Sequence, residues 1–288
     1  DFTQSIKDAI DQYRFDRDPK PKGKTTEPLL SWPSGALVHF AVSNSDVYMV
    51  TRLKGAATEF LPFNKGDHGA AGNPVNPTGH RTAYLWEDVW ERDRWLEILG
   101  RDLVAEKDEK RQLKTYVFPR YHQLDATRKL QAAVLADRPG RKYLIQHSAG
   151  SGKTKTIAWT AHFFADLHNS EDQKVFDTVL VVSDRNVIDS QLQDALFDFA
   201  RTTGVVAKIT GESASKSGQL AEALSGDKKI VVCTIQTFPF ALTAVRELAA
   251  TKGKTFAVIA DEAHSSQAGE AAAKLKAVLS ADELQELG

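Results

Sequence analysis

The sequence has one cysteine, one methionine and no long apolar run. A lone Cys233 forms no intrachain disulfide, which excludes a disulfide-stapled secreted scaffold and points to the reducing cytoplasm. It sits in Ile230-Val231-Val232-Cys233, where a thiol reads as a small buried core residue. No stretch approaches the ~18 consecutive apolar residues of a membrane span, so no membrane partner is expected. The opening Asp1-Phe2-Thr3-Gln4 carries neither an apolar leader nor an initiating methionine, which reads as a processed or excised chain. An excess of charge is also missing: Lys+Arg 37 against Asp+Glu 38 gives a formal net charge of −1. That excludes a histone-like positive blanket but leaves room for a local nucleic-acid track. His39, His68 and His80 form no metal-ligand spacing with any cysteine, which argues against zinc.

What is present is an ordinary globular balance, 42% hydrophobic and 26% charged, over 288 residues. That length exceeds the usual single domain, so two are expected. The two halves differ in pattern. In the first, residues 4–13 read as a helix and 16–28 as a Pro/Lys-rich connector. Alternating runs at 36–42 and 47–53 flank the turn cluster Ser43-Asn44-Ser45-Asp46, which predicts a β-hairpin. Residues 64–79, rich in Gly, Asn and Pro, read as a loop, and 85–103 has helical spacing. The charged stretch 106–114 suits a linker, giving boundaries at 1–108, 109–117 and 118–288.

Past residue 118, strand-like and helix-like segments alternate. Apolar runs fall at 143–146, 179–182, 205–209, 230–233 and 256–260. Amphipathic stretches at 124–135, 153–167, 187–201 and 219–224 separate them. Continuous Val/Ile/Leu runs indicate strands buried on both faces, and hence a doubly wound α/β domain with a parallel sheet.

The run at 143–146 leads into Ser148-Ala149-Gly150-Ser151-Gly152-Lys153-Thr154, which opens a helix. Glycines let backbone wrap a phosphate, and a helix N-terminus supplies free N–H groups and partial positive charge. In that setting Ser148, Gly150, Ser151 and Gly152 cradle the phosphates of ATP. Lys153 reaches the β- and γ-phosphates, and the Thr154 hydroxyl binds Mg2+. The generic pattern has a glycine five positions before Gly152, where this sequence has His147. A second motif supports the first: Phe256-Ala257-Val258-Ile259-Ala260 ends in Asp261-Glu262-Ala263-His264. A carboxylate at the C-terminal edge of a parallel strand stands where such sheets bind ligands. Asp261 is placed to hold Mg2+, and Glu262 to orient or deprotonate the attacking water.

Together these motifs resemble the first RecA-like domain of superfamily 2 helicases and translocases. More narrowly, Phe118-Pro119-Arg120-Tyr121-His122-Gln123-Leu124-Asp125 and residues 145–154 resemble the R (restriction/motor) subunit of type I restriction enzymes, in which a histidine at position 147 is typical. Thr51-Arg52-Leu53, Phe60-Leu61-Pro62-Phe63-Asn64 and Gly72-Asn73-Pro74 resemble segments that follow the nuclease core of that subunit. The resemblance implies that residues 1–108 are the C-terminal part of a restriction-endonuclease-like domain. It implies an ATP-driven double-stranded DNA translocase coupled to DNA cleavage, with methylation and specificity subunits as partners. It also implies that Gln123 reads the adenine edge, for which a side-chain amide has both donor and acceptor. Arg185 then contacts phosphate, or serves as an ordinary surface ion-pair partner. Thr234 and Gln236 contact the nucleic-acid backbone or act as strand-end caps. His264 couples the nucleotide site to DNA.

Departures from the family pattern are informative. No Asp…Glu-x-Lys set occurs within residues 1–110, so DNA cleavage by this chain is not expected. A supporting Gln-x-x-x-Tyr element would need glutamine where Ala9 stands, and Gln12-Tyr13-Arg14 reads as a helical surface, with a related supporting role as the alternative. No second RecA-like domain follows residue 288 in this sequence, so an arginine finger worth ~10³–10⁵ in rate is missing, and Mg-ATP is expected to bind but turn over slowly. Alternatives are another superfamily 2 DNA or RNA helicase, or a nucleotide-gated binding module that does not translocate.

Overall fold

A computed structural model describes residues 5–17, 27–108, 110, 112–183, 186–200, 204–209, 219, 222–224, 226, 228–235, 237–238 and 253–261. The chain divides into two compact units, Asp1–Asp125 and Ala126–Gly288.

In the first unit, α1 (Ile6–Asp11) begins at a reciprocal cap. The Ser5 side chain accepts from the Asp8 backbone N–H, and the Asp8 carboxylate accepts from Ser5 N–H. This arrangement satisfies two of the helix's orphan donors. The helix continues into a π-helical turn, Gln12–Asp16. Of the two readings of Gln12-Tyr13-Arg14, the helical surface gives way to contacts within the unit. The Arg14 guanidinium donates twice to the Thr58 carbonyl, at 3.0 and 2.9 Å. The Tyr13 ring packs 5.6 Å from both His39 and Phe60.

The expected hairpin is present as β1 (His39–Val42) and β2 (Val47–Val50), antiparallel with Val42 opposite Val47. Burial alternates along both strands, as period-2 patterning requires. The short β3 (Leu61–Pro62) joins the far side of β2. The loop that follows is pinned by its asparagines: Asn64 Oδ1 accepts from Val47 N–H and from Asn73 Nδ2, each at 2.8 Å. The core beneath includes Val47, Met49, Phe63, Leu85 and Ile98.

Residues 85–103 are not one helix. They form a π-helical turn Leu85–Val89, then α2 (Arg92–Glu97), then a second π-helical turn Ile98–Asp102. Glu91 causes the break, because its carboxylate caps Asp93 and Arg94 N–H and restarts the helix. The charged stretch expected as a linker contains a second hairpin, β4 (Val104–Lys107) with β5 (Leu113–Val117). The buried Val104 and Val117 face each other at its base, and the charges cluster at the turn.

The helix α3 (Tyr121–Asp137) leads into the second unit, where four parallel strands lie in the order β7-β8-β6-β9. They are β6 (Thr178–Ser183), β7 (Val206–Lys208), β8 (Ile230–Thr234) and β9 (Phe256–Ala260). The first in sequence, β6, lies between β8 and β9 and is buried along its whole length. Leu180, Val182, Val231 and Cys233 share one face with Leu224 and Phe238. By alternation, Val179 and Val181 point to the opposite face, where α4 (Lys153–Ala165) and α5 (Asn186–Phe199) pack. This is the parallel-sheet α/β arrangement expected from the alternating segments. Cys233 is buried in the core, as its apolar run indicated.

One expected strand differs. Residues 141–148 have no regular structure and join no sheet. Strand conformation needs a hydrogen-bonding neighbour, and apolar composition does not supply one. No helix among the described residues is long and apolar enough to cross a membrane.

Candidate nucleotide site

The loop at 148–154 is closed by Ser151 N–H donating to the Ser148 carbonyl at 3.3 Å. Gly150 has φ +72° and Gly152 φ +85°, the left-handed region where glycine avoids a Cβ penalty. Gly152 is the N-cap of α4, and its carbonyl accepts from Lys155 and Thr156 N–H at 3.0 and 3.2 Å. Lys153 and Thr154 therefore occupy the first turn, whose N–H groups lack intrahelical acceptors. Ser151 is buried, Lys153 and Thr154 are half-buried, and Ser148, Gly150 and Gly152 are exposed.

Packing fixes the direction of α4. Trp159 is buried with its ring 5.1 Å from Phe199, and Phe164 stacks at 5.3 Å on Phe176. His162 Nε2 lies 2.8 Å from the Leu196 carbonyl, linking α4 to α5. On the sheet side, β9 runs parallel to β6 with Ala260 opposite Val182, and Asp261 N–H donates to the Val182 carbonyl at 2.9 Å. This bond holds Asp261 at the carboxyl edge. A cavity of about 850 Å3 connects the two motifs, with Lys153, His147 and Asp261 all in its wall. Its remaining lining is largely apolar and includes Ile157, Phe164, Phe176 and Phe256. Tyr143 also lines it and donates through its hydroxyl to Asp137 Oδ2 at 2.9 Å. Desolvation, followed by the Asp137 bond, raises the Tyr143 pKa and keeps that hydroxyl protonated.

The other sequence-derived residues divide by position. Gln123 is buried in the first turn of α3, and its Oε1 accepts from Arg120 N–H at 2.9 Å, a capping arrangement. Thr234 ends β8, with its Oγ1 3.1 Å from Thr237 Oγ1 and its carbonyl accepting from Thr237 N–H. The hydroxyls at this strand end thus act as a local cap. Arg185, Gln236, Glu262 and His264 lie outside the described residues. Sequence reading missed Ser183, which ends β6 opposite Thr234 and is 1% exposed. Its Oγ has no hydrogen-bond partner among the described residues. A serine closing an otherwise apolar strand was the available signal.

The chain is similar to the putative type I restriction enzyme MjaVIIIP endonuclease subunit of Methanocaldococcus jannaschii. The two are 30% identical over 115 residues, covering 38% of this chain and 11% of that protein. The putative MjaVIIP endonuclease subunit of the same organism is 36% identical over 89 residues, covering 29% of this chain and 8% of that protein. The matched regions thus span about a tenth of those relatives' length. The UvsW helicase from bacteriophage T4 aligns over 62% of each chain at 12% identity, with a TM-score of 0.37. The SWI2/SNF2 ATPase family matches residues 122–284, more than half of the chain, and this protein belongs to that family.

Proposed function

We propose that this chain carries the Mg-ATP-binding part of an ATP-driven double-stranded DNA translocase, of the kind that works within type I restriction enzymes. The observation that carries the reading is the single cavity whose wall holds both Lys153 and Asp261. A cation and a carboxylate from two separated motifs, lining one cavity beside a helix N-terminus, form a donor set suited to a metal-bound triphosphate. In this reading the N–H groups of the loop and of the first turn of α4 donate to phosphate oxygens. The Lys153 ammonium pairs with the β- and γ-phosphates. The Thr154 hydroxyl and the Asp261 carboxylate hold Mg2+, which when bound neutralises charge developing on the transferring phosphate. Glu262 orients the attacking water. Arg185, Thr234 and Gln236 serve the nucleic-acid side, and His264 relays between the two. Residues 1–108 are the end of a nuclease-like domain without its catalytic carboxylates, and the methylation and specificity subunits are the partners of the whole protein.

The test is thermal unfolding with and without Mg-ATP. Binding at a hundredfold excess over Kd stabilises the native state by about 2.7 kcal/mol. For a unit of this size that raises Tm by roughly 5–10 °C. The shift is expected in the parent chain and absent in Lys153→Ala. An equal shift in both would remove Lys153 from the site.

A further inference from the structure

Val179–Val182 of β6 are apolar, and the strand then ends on Ser183, which is 1% exposed and whose Oγ has no hydrogen-bond partner among the described residues. A buried hydroxyl in that condition costs folding free energy, and an alanine there would avoid the cost. The sheet fixes what stands on either side. On β8, Ser183 is opposite Thr234, whose Oγ1 already lies 3.1 Å from Thr237 Oγ1. On β9, Val182 is opposite Ala260, so the next position in register sets Ser183 beside Asp261. The Asp261 N–H bond to the Val182 carbonyl carries the ladder that one step further. Opposed residues of a parallel pair project to the same face, and neighbouring strands lie about 4.8 Å apart. By alternation from Val179 and Val181, the hydroxyl and the half-buried carboxylate share the face on which α4 packs. A change of serine rotamer brings the two into hydrogen-bond reach.

We propose that Ser183 is a positioning residue for the metal: with Mg-ATP bound, one Asp261 carboxylate oxygen serves Mg2+ and the other accepts a hydrogen bond from the Ser183 hydroxyl. This rests on the nucleotide-site reading above. An ionised carboxylate accepts at both oxygens, so holding the metal leaves one for the hydroxyl. A neutral donor there fixes the rotation of the carboxylate without cancelling the charge that attracts the cation. The same bond satisfies the buried hydroxyl, so the pairing that orients Asp261 also removes the cost of having a serine at the end of an apolar strand.

Ser183→Ala separates this role from a structural one. Without nucleotide, its melting temperature is expected to equal or exceed the parent's, because a buried hydroxyl lacking a partner has been removed. Calorimetric titration is expected to show Mg-ATP binding weakened about tenfold or more, the usual scale for losing a group that orients a metal ligand. ATP titrated in EDTA is expected to bind both chains alike, since Asp261 then has no metal to hold. A lower melting temperature for Ser183→Ala without nucleotide overturns the proposal, because the hydroxyl would already have a partner in the fold. Equal Mg-ATP affinity in the two chains overturns it while leaving the site intact. Equal weakening with Mg2+ and in EDTA overturns it as well, because the effect then lies on the phosphate loop and not on the metal ligand. If the parent does not bind Mg-ATP, the nucleotide-site reading fails and the role of Ser183 fails with it.

Discussion

Gly152 caps α4 at φ 85° and ψ 35°, a conformation that costs an L-residue about 1–2 kcal/mol. Gly152→Ala is expected to lower the second unit's stability by about 1 kcal/mol in urea titration and to weaken Mg-ATP binding, since the same backbone aims the loop. His39 gives a pH test in the first unit. It is 5% exposed, and burial lowers its pKa below the ordinary 6.5. The unfolded chain then takes up protons first as pH falls. Stability is therefore complete above about pH 6.5 and declines as pH drops from there toward the folded pKa. Urea midpoints for the first unit should fall between pH 7.5 and 5.5, and His39→Gln should flatten that difference. At this scale the sequence shows residue types plainly and hydrogen-bond partners poorly. The loop and Asp261 were legible because glycine, lysine and carboxylate are named by their chemistry. The bond from Arg14 to the Thr58 carbonyl spans 44 residues and leaves no local trace.

Among the elements, α4 ties the phosphate loop to the core, with Trp159 2% exposed at its centre. Trp159→Ala removes a buried aromatic and should cost about 3–5 kcal/mol by denaturant unfolding, with nucleotide affinity falling alongside. Four of the five apolar runs became strands because each has a parallel neighbour within the sheet. The run at 143–146 is also apolar in part but has no strand neighbour among the described residues, and periodicity reports burial preference but not pairing. The hairpin at 104–117 was hidden for the opposite reason. Its turn is highly charged, which masks the alternation of the short strands beside it. The division of residues 85–103 depended on one capping glutamate in an otherwise helical pattern.

At the scale of the whole molecule, each unit has its own buried cluster, one centred on Phe63 and Leu85, the other on Leu180 and Val231. A change of pattern near residue 118 signalled two parts, because period-2 hairpins and alternating strand–helix segments bury their apolar faces differently. A near-zero net charge and a pI of about 6.8 give the molecule little colloidal repulsion near neutrality. Light scattering should show self-association greatest near pH 6.8 and reduced at pH 8.5. The central place of β6 also bears on synthesis. Its partner β9 is encoded roughly 80 residues later, an interval of about 4–16 s at ordinary elongation rates. Throughout that time the apolar Val179–Val182 stretch of β6 lacks the ladder partner that β9 supplies. The nascent chain is thus most vulnerable to aggregation, and most dependent on chaperones, in the seconds before β9 emerges.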